Sequence, residues 1–104
     1  MTVRHSWTYE EDRICCEEFF RVYVIEKNPM SLSDFVRSLS AKLPALKPGS
    51  IRLKIQNTKQ LALEHGIENS LKASPSSNYS KQNEAVFISL MRQYSLKLPQ
   101  PLVR

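Results

Sequence analysis

Three side chains in the middle of the chain have both the types and the spacing to do chemistry on a nucleic acid. Arg52, Gln56 and Lys59 stand at i, i+4 and i+7, on the opposite side of a helical wheel from Ile51, Ile55, Thr58 and Ala62. Such a helix docks its apolar side on a scaffold and turns long polar side chains outward, the division that a recognition helix needs. Arg52 has the geometry for bidentate pairing with guanine, Gln56 for adenine, and Lys59 for phosphate. Lys42, Lys47 and Lys54 would add attraction to the backbone, and Arg4 with His5 would serve as an arm reaching phosphate or the minor groove. The same spacing also describes an ordinary solvated face, since Arg, Gln and Lys are all good exposed helix residues.

The residues for catalysis are sparse. His5 and His65 are the only histidines, and neither has a Cys, Asp or His at metal-ligand spacing, so no metal is expected. Cys15 and Cys16 are adjacent, which on a helix separates them by about 100°, and redox chemistry of the thioredoxin kind needs two intervening residues. Both read as packing residues. Glu17 and Glu18 form a carboxylate pair on a polar face, where solvation is the default. With two glycines in total there is no phosphate-cradling loop. The chain is expected to be non-enzymatic, with no cofactor and no small-molecule substrate.

Charge distribution points the same way. Residues 1–26 hold three bases and six acids, whereas residues 27–104 hold twelve bases and four acids, and the stretch 42–59 has five bases and no acid. A net charge of +5 arranged so unevenly suggests a polyanionic partner. At 104 residues, 41% apolar and 24% charged, the chain suits one modest domain and is too apolar for disorder throughout. No apolar run approaches membrane-spanning length, and Met1–Trp7 lacks the apolar stretch of a signal peptide, so a soluble, reduced, cytoplasmic protein without a membrane partner is expected.

Four helices must position these residues. Thr8-x-x-Glu11 reads as a capping box, and Cys15, Cys16, Phe19, Phe20, Val22 and Tyr23 share one side of the helix that follows, which Asn28-Pro29 stops. Its end, Val22-Tyr23-Val24-Ile25, has strand-like composition, but the preceding periodicity favours helix. Ser31 opens a second helix with Leu32, Phe35, Val36, Leu39 and Leu43 in register, and Pro44 ends it. Ser50 is the expected N-cap of the third, running to about His65, with Gly66 as the left-handed residue after it. Residues 68–82, rich in serine, read as an exposed linker or long loop. A fourth helix, near 82–95, carries Val86, Phe87, Leu90, Met91 and Tyr94, and Leu98-Pro99-Gln100-Pro101 cannot continue it.

Trp7-Thr8-x-Glu10-Glu11-Asp12 resembles the opening of Myb/SANT-type helix-turn-helix domains, whose third helix enters DNA. Pro48-Gly49-Ser50-Ile51-x-x-Lys54-Ile55-Gln56-Asn57, then Ser77-Asn78-x-Ser80-Lys81 and Glu84-Ala85-Val86-Phe87, are similar to the N-terminal module that precedes HNH nuclease domains in bacterial restriction-like proteins. The likeness spans about residues 7–94. Phe35 and Ile55 stand where Myb repeats carry further core tryptophans, and no HNH segment occurs, so the resemblance implies binding without nuclease chemistry. Together these readings predict an all-α protein: a three-helix, Myb/SANT-like helix-turn-helix domain over 1–67, a serine-rich loop over 68–82, and a C-terminal helix and tail over 83–104 packing on or extending it.

The expected partner is duplex DNA. Leu53 and Leu63, which fall toward the polar side of the third helix, favour the alternative of a protein-interaction module, for instance a phage or plasmid product that binds a nuclease or defence complex. Trp7, just before the first helix, is expected to staple or enter the core.

Overall fold

The first helix starts where its capping box places it. In the computed structural model, which describes the backbone of residues 6–97 and side chains through Tyr94, the Glu11 N–H donates to Thr8 Oγ1 at 3.1 Å and the Thr8 N–H to Glu11 Oε1 at 2.9 Å. Helix α1 (Tyr9–Phe19) buries Asp12, Cys15, Cys16 and Phe19, while Arg13 ties Glu10 and Glu17 together on the outside.

The helix then widens into a π-helical segment, Phe20–Ile25, instead of continuing as a regular helix. A wider turn places more residues per revolution over the core, and here Phe19, Phe20, Val22 and Tyr23 are all buried. Arg21, pointing outward, clasps Glu18 at 2.7 Å and Glu26 at 3.0 Å. Helix is thus the outcome for the strand-like Val22–Ile25. The segment closes with Lys27 at φ 50° and an Asn28 N–H bond to the Val22 carbonyl.

Helix α2 (Leu32–Lys42) is capped by Ser31, whose hydroxyl accepts from the Asp34 N–H at 3.1 Å, and it buries Phe35, Val36 and Leu39. Helix α3 (Pro48–Glu64) begins two residues before the expected Ser50 cap, with Lys47 as the N-cap residue. Proline at the first helical position explains the difference: its fixed φ suits the helix, and its missing N–H is one that would have been unpaired there. Gly66, at φ 68°, ends α3 in the left-handed conformation its position requires.

Helix α4 (Lys81–Lys97) packs chiefly on α1, and α2 packs on α3. Phe20 joins the pieces, stacked on Tyr94 at 5.2 Å and tilted against Phe87 at 5.1 Å. Phe35 and Ile55 are fully buried. The protein is all-α, with four α-helices and no strand among the described residues, and α4 shares one hydrophobic cluster with the first three. The tail 98–104, expected to break the last helix, lies outside the described residues.

Of the two readings its composition allows, exposed linker or long loop, the segment between α3 and α4 is a loop, and one held down on the helices. Leu71 is buried, the Ser70 hydroxyl donates to the Asn28 carbonyl at 2.7 Å, and the Ser70 N–H donates to the Tyr23 carbonyl at 3.0 Å. Residues 69–79 therefore form a strap laid across α3 and tied to the end of the π-helical segment.

Candidate nucleic-acid interface and the groove beside it

The strap decides which part of α3 faces solvent. Lys59 Nζ donates to the Leu71 carbonyl and to Asn69 Oδ1, the Ser76 N–H donates to the Gln56 carbonyl at 3.1 Å, and the Tyr79 hydroxyl donates to Glu64 Oε1 at 2.7 Å. It crosses from one flank of α3 to the other over its C-terminal half. Lys59 is thus a strap anchor and not the outward phosphate contact its spacing suggests, and burial pushes its pKa down. Gln56 is half-buried beneath the same segment. Periodicity shows which side of a helix is polar, but not what else covers that side.

Lys54 departs further from expectation. Instead of attracting a DNA backbone it is buried, with Nζ 2.8 Å from Asp12 Oδ1 and 4.5 Å from the Trp7 ring centroid. Gln82 Nε2 donates to Asp12 Oδ2 at 2.6 Å and to the Trp7 carbonyl at 2.9 Å, so α4 completes the carboxylate's surroundings. Thr58, Cys16 and Asn83 continue this polar seam inward, with the Asn83 amide donating to Cys16 Sγ at 3.7 Å. Trp7, partly buried against the core as expected, also shields the ion pair. Asp12, Gln82 and Asn83 were not candidate residues on sequence grounds. A signal existed: Asp12 shares the register of Cys15, Cys16 and Phe19, and Lys54 that of Ile51, Ile55 and Thr58, so both charges occupy core positions.

Of the remaining candidates, Lys47 and Arg52 lie at the amino end of α3 and Lys42 ends α2. Lys47 is exposed with no acidic partner among the described residues, and Arg52 is exposed, donating to Ser33 Oγ at 3.2 Å. Lys42 is exposed but sits 3.3 Å from Glu18, whose pKa is lowered first by its hydrogen bond from Arg21 and further by Lys42. Arg4 and His5 lie outside the described residues. The first turn of α3 has no acid and no side-chain cap; Pro48 has no N–H and the Ser50 and Ile51 N–H groups donate to the Lys47 carbonyl, so the positive end of the helix dipole meets solvent around Gly49. A Cβ added at Gly49 would meet nothing within 4 Å, which leaves the backbone there open to close approach.

Next to this helix end runs a groove of about 570 Å³, lined by Trp7, Ser50, Leu53, Lys54, Asn57, Asn78 and Ser80. It gathers residues far apart in sequence: one just before α1, four from α3 and two from the segment leading into α4. Ser80 also receives the Asn83 N–H at 3.0 Å, opening α4. No family model, curated protein or solved structure matches this chain.

Among the described residues no cluster of three or more His, Cys, Asp or Glu is placed to hold a metal ion, and no helix is long and apolar enough to cross a membrane. Cys15 and Cys16 are free thiols, fully buried. Burial pushes Cys16 up to about 12, and Cys15 also well above the usual thiol value. Neither is expected to react with a thiol-specific disulfide reagent in the native protein at neutral pH, with both titrating fully once the chain is unfolded in urea. Rapid labelling of either in the folded state would contradict this packing.

Proposed function

We propose that the protein binds duplex DNA through the amino-terminal turns of α3 and the turn leading into them. The supporting observation is the division of α3 itself. The strap covers the Gln56 and Lys59 side of its C-terminal half, whereas its amino end is open, uncapped and acid-free, with Lys47, Gly49, Ser50 and Arg52 exposed. Backbone N–H groups at a helix amino end suit a phosphate, and recognition helices touch bases with their first residues. The contact is therefore shorter than the three-residue face of Arg52, Gln56 and Lys59. Arg52 supplies base recognition and Lys47 phosphate attraction, with Lys42 available where it exchanges Glu18 for the nucleic acid. The binding is non-enzymatic.

Fluorescence anisotropy with a random duplex at two salt concentrations tests this. Two to three neutralised phosphates predict that affinity falls between about 10- and 40-fold when salt rises from about 50 to about 200 mM. Lys47→Ala should weaken all sequences alike and reduce the logarithmic salt slope by about 1, while Arg52→Ala should relax sequence preference, at about 1–3 kcal/mol for the base concerned. If neither substitution changes affinity, the assignment of the α3 amino end fails.

The second reading, a protein-interaction module, is favoured by Leu53 and Leu63, which are 46% and 53% exposed on α3. Its mark is binding that persists at high salt and is lost when these leucines become serine.

A further inference from the structure

Helix α4 turns Val86, Phe87 and Leu90 into the core, and its far side carries an isoleucine that the core does not use. Ile88 is half-buried, yet it belongs neither to the hydrophobic cluster nor to the side chains packed against it. It lies in a groove of about 590 Å³ along α4, lined also by Ala85, Ser89, Arg92 and Gln93. Among the described residues, no other element contributes to this groove. Two charges flank Ile88: Glu84 stands four residues before it and Arg92 four residues after. At roughly 100° per residue they fall about 40° to either side of Ile88, and about 6 Å from it in opposite directions along the helix. Neither the carboxylate nor the guanidinium has a hydrogen-bond or ion-pair partner among the described residues.

This face is complementary to itself. A twofold axis through Ile88, perpendicular to α4, lays a second α4 antiparallel on the first. It sets Glu84 opposite the second copy's Arg92, and Arg92 opposite the second copy's Glu84. The same rotation brings the small Ala85 against the larger Met91, which is only partly buried in its own core. Acid meets base and small meets large twice each, with Ile88 packed on its own copy at the axis. A base at 84 or an acid at 92 would instead bring like charges together. Helix length agrees, because Ile88 stands next to the midpoint of the 17-residue α4 and the two helices overlap along almost all of it. We propose that the protein forms a twofold homodimer through antiparallel contact of α4 with α4 of a second copy, Glu84–Arg92 pairs flanking Ile88. The inference is independent of the DNA-binding reading.

Sedimentation velocity without nucleic acid, over about 1–300 μM protein, is the test. The natural chain is expected to pass from monomer to dimer with a micromolar midpoint, as suits a contact of one helix pair. Glu84→Arg and Arg92→Glu each turn two attractive contacts into two repulsive ones, and each should weaken the dimer at least about tenfold. An equimolar mixture of the two variants should regain it, because every contact again joins one acid to one base. Circular dichroism checks that both variants keep the fold; if either does not, Ile88→Glu, at a position without core contacts, supplies the monomeric comparison. A natural chain that stays monomeric throughout the range overturns the proposal. So does a dimer that survives both single reversals or Ile88→Glu, or a mixture of folded variants that remains monomeric.

Discussion

Asp12→Ala is expected to destabilise the fold by about 3–5 kcal/mol, a large share of the roughly 5–15 kcal/mol that holds a domain of this size together. The substitution leaves Lys54 with its ammonium buried and its carboxylate partner gone, and takes away one of the two acceptors of the Gln82 amide. Urea unfolding followed by circular dichroism measures the effect. The double replacement Asp12→Leu with Lys54→Met is expected to recover most of the loss, because two apolar side chains remove the need for pairing instead of leaving half of it. A single replacement that costs less than about 1 kcal/mol, the range of an exposed ion pair, would show that water reaches the pair in solution.

Phe87→Ala carries an expected loss of similar size, about 3–5 kcal/mol, for a different reason. Phe87 is fully buried, tilted against Phe20 and stacked on His65 at 5.7 Å, so truncation opens a cavity where α4, α3 and the π-helical segment meet. The shape of the transition is as informative as its midpoint. One cooperative transition, shifted as a whole, is expected, because α4 belongs to the same core as the other helices. A variant in which a first transition appears while the remaining helical signal melts at its original midpoint would mean that α4 is a separately melting appendage.

These two residues also mark what a reader of the sequence can and cannot extract. Phe87 stands in a helical stripe with Val86, Leu90, Met91 and Tyr94, and its burial follows from spacing alone. The Thr8 and Ser31 caps and the left-handed Gly66 were equally legible, since each depends on residues within a single turn. Asp12 stands in the first turn of α1, where an acid complements the helix dipole whether or not it is buried. Only the shared register with Cys15, Cys16 and Phe19 hints at burial, and nothing local says that Lys54, 42 residues on, meets it.

The strap was illegible for a sharper reason. It has no periodicity: Asn69, Ser70, Leu71, Tyr79 and a few backbone groups fix it, so its composition matches that of a free loop. That single omission altered the candidate interface more than any misplaced helix boundary did. Lys59 and Gln56 have the right spacing for a DNA-reading face, but the covering segment comes from beyond the helix and no helical wheel includes it. Arg52 and Lys47 escape because the strap's bonds to α3 fall between Gln56 and Glu64.

The seam that unites Trp7, Asp12 and Cys16 with Gln82 and Asn83 makes the first helix hostage to the last. These bonds join residues 67 to 75 positions apart. During synthesis α1 emerges from the ribosome long before α4 exists. Until then a buried-type carboxylate, two thiols and the Phe20 ring have no cover on that side, and the growing chain exposes a sticky, incompletely neutralised surface. The bonds that close this face need α4 docked on α1. Cutting the chain within 69–79 would therefore not liberate a smaller working module: it would yield two pieces, each displaying the face meant for the other.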